Sequence, residues 1–118
     1  MKEFNSIEEM KPYYDKEKNL FYIEDHIIIK FYLICSWDIV AKDITAGNIT
    51  ARNITAWNIT AVDINVIGDI DAENIVYYAV CFAYNNIKCR SIRGSRGNHK
   101  HFVLDGEIII KEDKNNEI

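Results

Sequence analysis

Four side chains in the C-terminal half carry chemistry worth weighing: Cys81, Cys89, His99 and His101. Thiolate and imidazole are zinc ligands, and a thiol beside an imidazole is the simplest nucleophile and base pair. The spacing lacks the paired Cys-x-x-Cys knuckle of a recognisable zinc site, so no metal or other cofactor is expected. Strand alternation would place Cys81 outward and Cys89 in the core. Asp69, Asp71 and Glu73 are paired carboxylates with no orienting neighbour, which reads as a solvated face around a turn rather than an acid and base. The segment 86–104 holds Lys88, Arg90, Arg93, Arg96 and Lys100 with no acid among them, and Gly94 and Gly97 let its backbone bend. Cations on such a loop can meet phosphates, which makes it the candidate anion or partner site.

That basic segment stands out because the rest of the chain is acidic. Residues 1–40 hold five bases and eight acids, 41–85 two and five, and 105–118 two and five, for a net charge of −4 over 118 residues. Attraction of the whole molecule to nucleic acid is therefore not expected. Hydrophobic residues make up 48% and charged residues 27%, with seven Tyr, five Phe and two Trp, so a packed domain is expected and wholesale disorder is not. The N-terminal stretch alternates acids and bases without the apolar run of a signal peptide, and no uncharged stretch is long enough to span a bilayer. Three cysteines, Cys35, Cys81 and Cys89, form an odd, widely spaced set that suits a reducing compartment, so a cytoplasmic location is expected.

The elements that must position these residues are written in a repeat. From residue 41 the chain reads AKDIT, AGNIT, ARNIT, AWNIT, AVDIN. A strict five-residue period would scatter the isoleucines around a helix, and in one long strand they would alternate between faces. A coil of very short strands fits: in each Ile-Thr-Ala triplet Ile and Ala point inward and Thr outward, and two residues turn a corner. The inward pairs run from Ile39/Ala41 through Ile54/Ala56 to Ile70/Ala72, Ile75/Tyr77, Val80/Phe82, Ile87/Cys89 and Ile92/Gly94. Register slips are expected near Gly68 and Asn85. Asp43, Asn48, Asn53, Asn58 and Asp63 fall at corners, where short polar side chains bond nearby amides. Lys42, Gly47, Arg52, Trp57 and Val62 then face solvent or a partner. Three consecutive Asn-Ile-Thr glycosylation sequons, at Asn48, Asn53 and Asn58, follow from the repeat alone.

The AKDIT to AVDIN series resembles pentapeptide-repeat proteins over about residues 37–94. The resemblance implies four pentads per square turn and a non-catalytic role, in some members imitation of nucleic acid to bind enzymes. The order here is reversed, with Ile first and Ala two residues later, and a three-sided turn would stack Lys42 near Trp57 where a four-sided one would stack it near Val62. Of the five corner residues only Asp43 and Asp63 are charged, which argues against mimicry of DNA across the whole surface.

The ends need covers, because a coil leaves unpaired edges and an open apolar bore. Ser6-Ile7-Glu8-Glu9 has the form of a capping box starting a short helix at Ile7 that Pro12 limits. LFYIEDHIIIKFYLICSW reads as two strands about a turn near Glu24–His26, leading into the first coil at Trp37. Asp105-Gly106 between apolar runs signals a β-hairpin, and KEDKNNEI a frayed tail. The expected fold is all-β with minor α: a right-handed β-solenoid of five-residue repeats (37–94) between an N-terminal helix and strand cap (1–36) and a C-terminal basic loop, β-hairpin and tail (95–118). The expected function is non-enzymatic: binding or inhibition of another macromolecule, in one specialisation the nucleic-acid-handling machinery that a phage or mobile-element counter-defence protein would target. Lys88, Arg90, Arg93, Arg96, Lys100 and Trp57 are the candidate contacts, with Tyr78 and Tyr84 as further aromatic anchors. A homodimer through a capped end or the Trp57 face is also expected. The alternatives are a self-assembling module that stacks end to end, or a nucleic-acid or nucleotide binder through 86–104.

Overall fold

The computed structural model describes residues 1–111. The chain opens with β1 (Lys2–Phe4), a one-turn helix α1 (Ile7–Met10), a 3-10 turn over Lys11–Tyr13 and β2 (Tyr14–Asp15). Pro12 sits in the 3-10 turn and stops α1, as expected. The capping box does not close. Glu9 Oε1 accepts from the Asn5 amide at 2.8 Å, and the Ser6 hydroxyl caps nothing. The strands that follow are β3 (Leu20–Ile29), β4 (Leu33–Ile34), β5 (Asp38–Ala46), β6 (Asn48–Ala51), β7 (Asn53–Thr55), β8 (Asn58–Val66), β9 (Ile70–Asp71) and β10 (Asn74–Ala83). The last four are β11 (Ile87–Cys89), β12 (Ser91–Gly94), β13 (Lys100–Val103) and β14 (Ile108–Ile110).

From β3 onward every strand pairs in parallel with its counterpart one turn later, giving a β-solenoid of about five turns. Ile39 lies over Ile54, Ile44 over Ile59 and Ile49 over Ile64, so one turn takes 15 residues, three pentads on three faces. The square four-pentad turn implied by the family resemblance does not form. The first face stacks Phe21, Ile39, Ile54, Ile70, Ile87 and Ile108; the second stacks Ile27, Ile44, Ile59, Ile75 and Ile92; the third stacks Leu33, Ile49, Ile64, Cys81 and His101. The stacked isoleucines of the three faces from Ile39 to Ile87 are at most 1% exposed, and no polar residue among those described is buried with them. Each contributes roughly 1.5–3 kcal/mol of burial.

The corners repeat too, as hydrogen-bonded columns. Between the third and first faces, Asn53 Nδ2 donates to Asp38 Oδ1 at 2.9 Å, and the amides of Asp69, Asn86 and Glu107 donate to Asn53 Oδ1, Asp69 Oδ1 and Asn86 Oδ1. Between the first and second faces, Asn58 donates to Asp43, Asn74 to Asn58 and the Ser91 hydroxyl to Asn74. In the first column the polar residues thus satisfy backbone amides that a tight corner would otherwise leave unpaired, and in the second they link one turn to the next through side chains alone. These bonds also occupy the amides of two of the three sequon asparagines, Asn53 and Asn58.

Asp38 anchors the first column and takes two bonds from the Arg52 guanidinium, at 2.8 and 3.0 Å. Arg52 first, then Asn53, hold its carboxyl below the usual carboxylate range despite partial burial. A lowered folded pKa means stability that is full above the unfolded value near 3.9 and is lost as pH falls through the folded one. Urea midpoints followed from pH 7 to pH 2 should therefore drop below about pH 4, and Asp38→Asn should lessen that drop. An equal drop in the variant would assign it to other carboxylates.

Four expectations are corrected. The run 20–36 is not a strand pair about a turn: β3 continues through Glu24–His26 with a register shift between Ile23 and His26, forming a corner of the first turn of the coil. His26 Nε2 pairs with Thr45 Oγ1 at 2.9 Å across that corner. The inward pair after Tyr77 is Cys81/Ala83, not Val80/Phe82, because an extra residue enters at Tyr78–Ala79 and reverses the alternation. One residue is added near Gly68, as expected, and the slip expected near Asn85 divides into one residue at Tyr78–Ala79 and one in the turn at 84–86. Cys81 is consequently fully buried rather than outward. Finally, β13 and β14 do not form a hairpin; each pairs in parallel with the strand above it, β10 and β11. Asp105-Gly106 turns a corner, and glycine is required because a Cβ at 106 would lie 2.2 Å from the Asn85 carbonyl oxygen.

Candidate functional site

The basic segment becomes the last turn of the coil, and the coil distributes its cations around the perimeter. Lys88 points out from the first face, beside Asp71 in register. Arg90 stands on the next corner and is ion-paired with Glu73. Arg93 is on the second face next to Val76. Arg96 follows at the corner beyond, its amide donating to the Tyr78 carbonyl, and the Lys100 ammonium lies 4.7 Å over the Phe102 ring at the edge of the third face. The five cations expected to act together thus share one turn but no one face. Residues 95–99 form a mostly exposed turn, and the His99 ring leans back against Gly94, where a Cβ would sit 2.3 Å from two of its carbons.

Tyr77 brings the cysteine and histidine set together. Tyr77, 1% exposed, meets His99 and His101 edge-on, at centroid distances of 5.9 and 5.7 Å, and its hydroxyl shares a 2.6 Å hydrogen bond with His101 Nδ1. His101 stacks directly below Cys81. Burial pushes the Cys81 thiol up to about 12 and lowers His101, so both are neutral at pH 7 and pack as part of the core end. Among the described residues no group of three His, Cys, Asp or Glu side chains is arranged to hold a metal.

A different set comes together on the first face. The 15-residue turn puts Lys42, Trp57, Glu73 and Arg90 in one corner column: the Trp57 amide donates to the Lys42 carbonyl at 2.7 Å, Glu73 to Trp57 at 2.7 Å and Arg90 to Glu73 at 2.8 Å. Beside that column, a groove of about 560 Å³ runs over Val40 and Thr55, with Tyr22 and Glu24 at its upper end, Asp71 and Lys111 at its lower end and Trp57 on its rim. The Trp57 indole is 65% exposed. Lys111 Nζ bridges Asp71 at 2.7 Å and Glu73 at 3.3 Å. The Arg90 hydrogen bond, then Lys111, hold the Glu73 carboxyl below its ordinary range. Partial burial works against the Lys111 ammonium, but Asp71 and Glu73 outweigh it and raise its pKa. Glu24 beside Tyr22 raises that phenol, which stays protonated at neutral pH.

No protein-family model, curated protein or solved structure matches the chain. Of the residues expected at the site, Trp57 and Arg90 share this corner; Lys88 is on the same face, and Arg93, Arg96 and Lys100 are elsewhere. Tyr22, Lys42, Asp71, Glu73 and Lys111 were not expected together. The signal that joins most of them is the length of the turn: Lys42, Trp57, Glu73 and Arg90 become neighbours only if three pentads close a rung. No helix among the described residues is long and apolar enough to cross a membrane.

Proposed function

We propose that this chain is a non-catalytic binding protein whose first face receives a segment of another protein. The observation that carries the reading is Trp57, a large indole held out on a rigid corner at the rim of a groove. Exposed tryptophan anchors account for a disproportionate share of interface energy, and a backbone locked into stacked turns loses little freedom on binding. The groove's mixed rim of Glu24, Lys42, Asp71, Glu73 and Lys111, already partly paired, offers polar contacts without a single strong sign, which suits a protein segment better than a polyanion. The resemblance of the pentads to pentapeptide-repeat proteins supports the same non-catalytic role, and inhibition of a nucleic-acid-handling enzyme is its specialisation.

Trp57→Ala tests it. The side chain is exposed, so unfolding should shift by no more than about 0.5 kcal/mol. Immobilised parent protein should retain a partner from a lysate of the encoding organism, and the variant should bind that partner at least about 30-fold more weakly, the loss typical of a hot-spot residue. Equal retention by the two proteins would remove the first face as the binding surface.

A further inference from the structure

Eleven large apolar side chains are exposed among the described residues, and seven of them lie on the third face or its two corners. One corner is a ridge of Ile67, Tyr84 and Leu104, stacked one per turn. Val62 and Tyr78 stand along the opposite corner, and Tyr32 and Ile34 complete the upper turn. Between the corners the outward column is Ile34, Thr50, Asn65, Phe82 and Phe102, with no charge in it and the last two rings 4.8 Å apart. The charged groups at its margins are Arg52, paired with Asp38, Asp63, whose Oδ1 accepts from the Val80 amide, and, in the last turn, Arg96 at the Tyr78 corner and Lys100 over the Phe102 ring. Patches of this kind mark association surfaces.

From this we infer that the third face is the contact of a reversible, twofold-symmetric dimer of this chain. Charge selects the occupant. Two copies with a net charge of −4 each repel, and a face with an uncharged, apolar centre is where they can meet with the least contact between like charges. The first face carries Glu24, Asp71 and Glu73, so a symmetric pair through it would set like charges against each other. Area sets the strength. Five turns at about 4.8 Å and about six residues between corners give a footprint of roughly 500 Å² per copy, so a pair buries roughly 1,000 Å², the lower bound of a specific interface. A dimer that dissociates on dilution follows, not an obligate one. It is independent of the Trp57 reading, since that residue lies on another corner, and it differs from the expected dimer through a capped end or the Trp57 face.

Sedimentation velocity and light scattering of the full chain over a wide concentration range test it. The expected result is a mass of 13.7 kDa when dilute and twice that when concentrated, little weakened by salt because the contact is apolar. Ile67→Glu with Leu104→Glu, both on exposed positions, should hold the protein monomeric at every concentration with an unchanged circular dichroism spectrum, whereas Trp57→Ala should leave the dimer intact. A parent that stays monomeric throughout, a dimer that survives the double substitution, or oligomers that keep growing with concentration would each overturn the assignment. Should the double substitution disturb the spectrum, Leu104→Lys alone, at the most exposed of these positions, gives the same reading.

Discussion

Replacing Ile54 by Asp should abolish the folded state or lower its melting temperature by more than about 20 °C, the largest effect expected of any single substitution here. Ile54 has no exposed surface and lies between Ile39 and Ile70 in the middle of the first-face stack. Its neighbours around the bore, Ala56, Ile59 and Ile64, bring no hydrogen-bond donor from their side chains, so a carboxylate there has neither partner nor water. Removing the isoleucine's burial costs about 1.5–3 kcal/mol, and burying an unpaired charge adds several more, together about 5 kcal/mol or above. That matches the whole stability of many domains of this size. Because each turn of a solenoid is supported only by its neighbours, a failure in the third turn separates the coil into two stacks, neither with both ends covered. Thr60→Asp, an exposed outward position, should shift the melt by only a few degrees. An Ile54→Asp protein that melts within a few degrees of the parent would mean the stack does not have a dry axis.

The pentads made the coil legible because their signal is doubly redundant: an apolar residue every five positions and a polar one before it leave few ways to pair strands. The inward assignments from Ile39 to Tyr77 rest on that redundancy, and all match the structure apart from Ala46, which sits half-buried at a corner. The errors cluster where the beat is lost. Between Tyr77 and Ile87 the sequence YAVCFAYNN alternates equally well in two registers, and only the strand above, with Ile64 over Cys81, decides that the thiol goes inward. The N-terminal run reads as a strand pair for a related reason. Glu24-Asp25-His26 has the composition of a turn, and a solenoid corner has that composition too; the difference lies in whether the flanking strands pair with each other or with the next turn, which is not local information. The same ambiguity governed Asp105-Gly106. The candidate site was the least legible. Trp57 could be singled out as an exposed indole, but its neighbours are set by the number of residues per turn, and a five-residue period is compatible with three sides or four.

Tyr77→Ala should cost about 3–5 kcal/mol, and the loss should fall unevenly along the coil. Where the pentads place a small Ala, the fourth turn places a tyrosine, the bulkiest of the fully buried side chains. Its ring fills the bore below Ala61 and carries the edges of His99 and His101, so it plugs the end of the stack in place of another regular turn. Truncation leaves a cavity that the last turn cannot collapse around, since Gly94 directly below it supplies no side chain. Amide exchange should therefore accelerate most at residues 87–110 while the amides of Ile39, Ile44 and Ile49 keep most of their protection, as expected of a stack held by nearest-neighbour contacts. Tyr77→Phe keeps the ring and loses only the bond to His101, for about 1 kcal/mol. His101 adds a pH signature. Burial lowers its folded pKa, so the unfolded chain takes up the proton first, and the stability of the last turn, full above about pH 6.5, should decline as pH falls through that value. Exchange that rises equally in every turn of the Tyr77→Ala protein, or a cost below about 1 kcal/mol, would show that the ring covers the bore without holding its end.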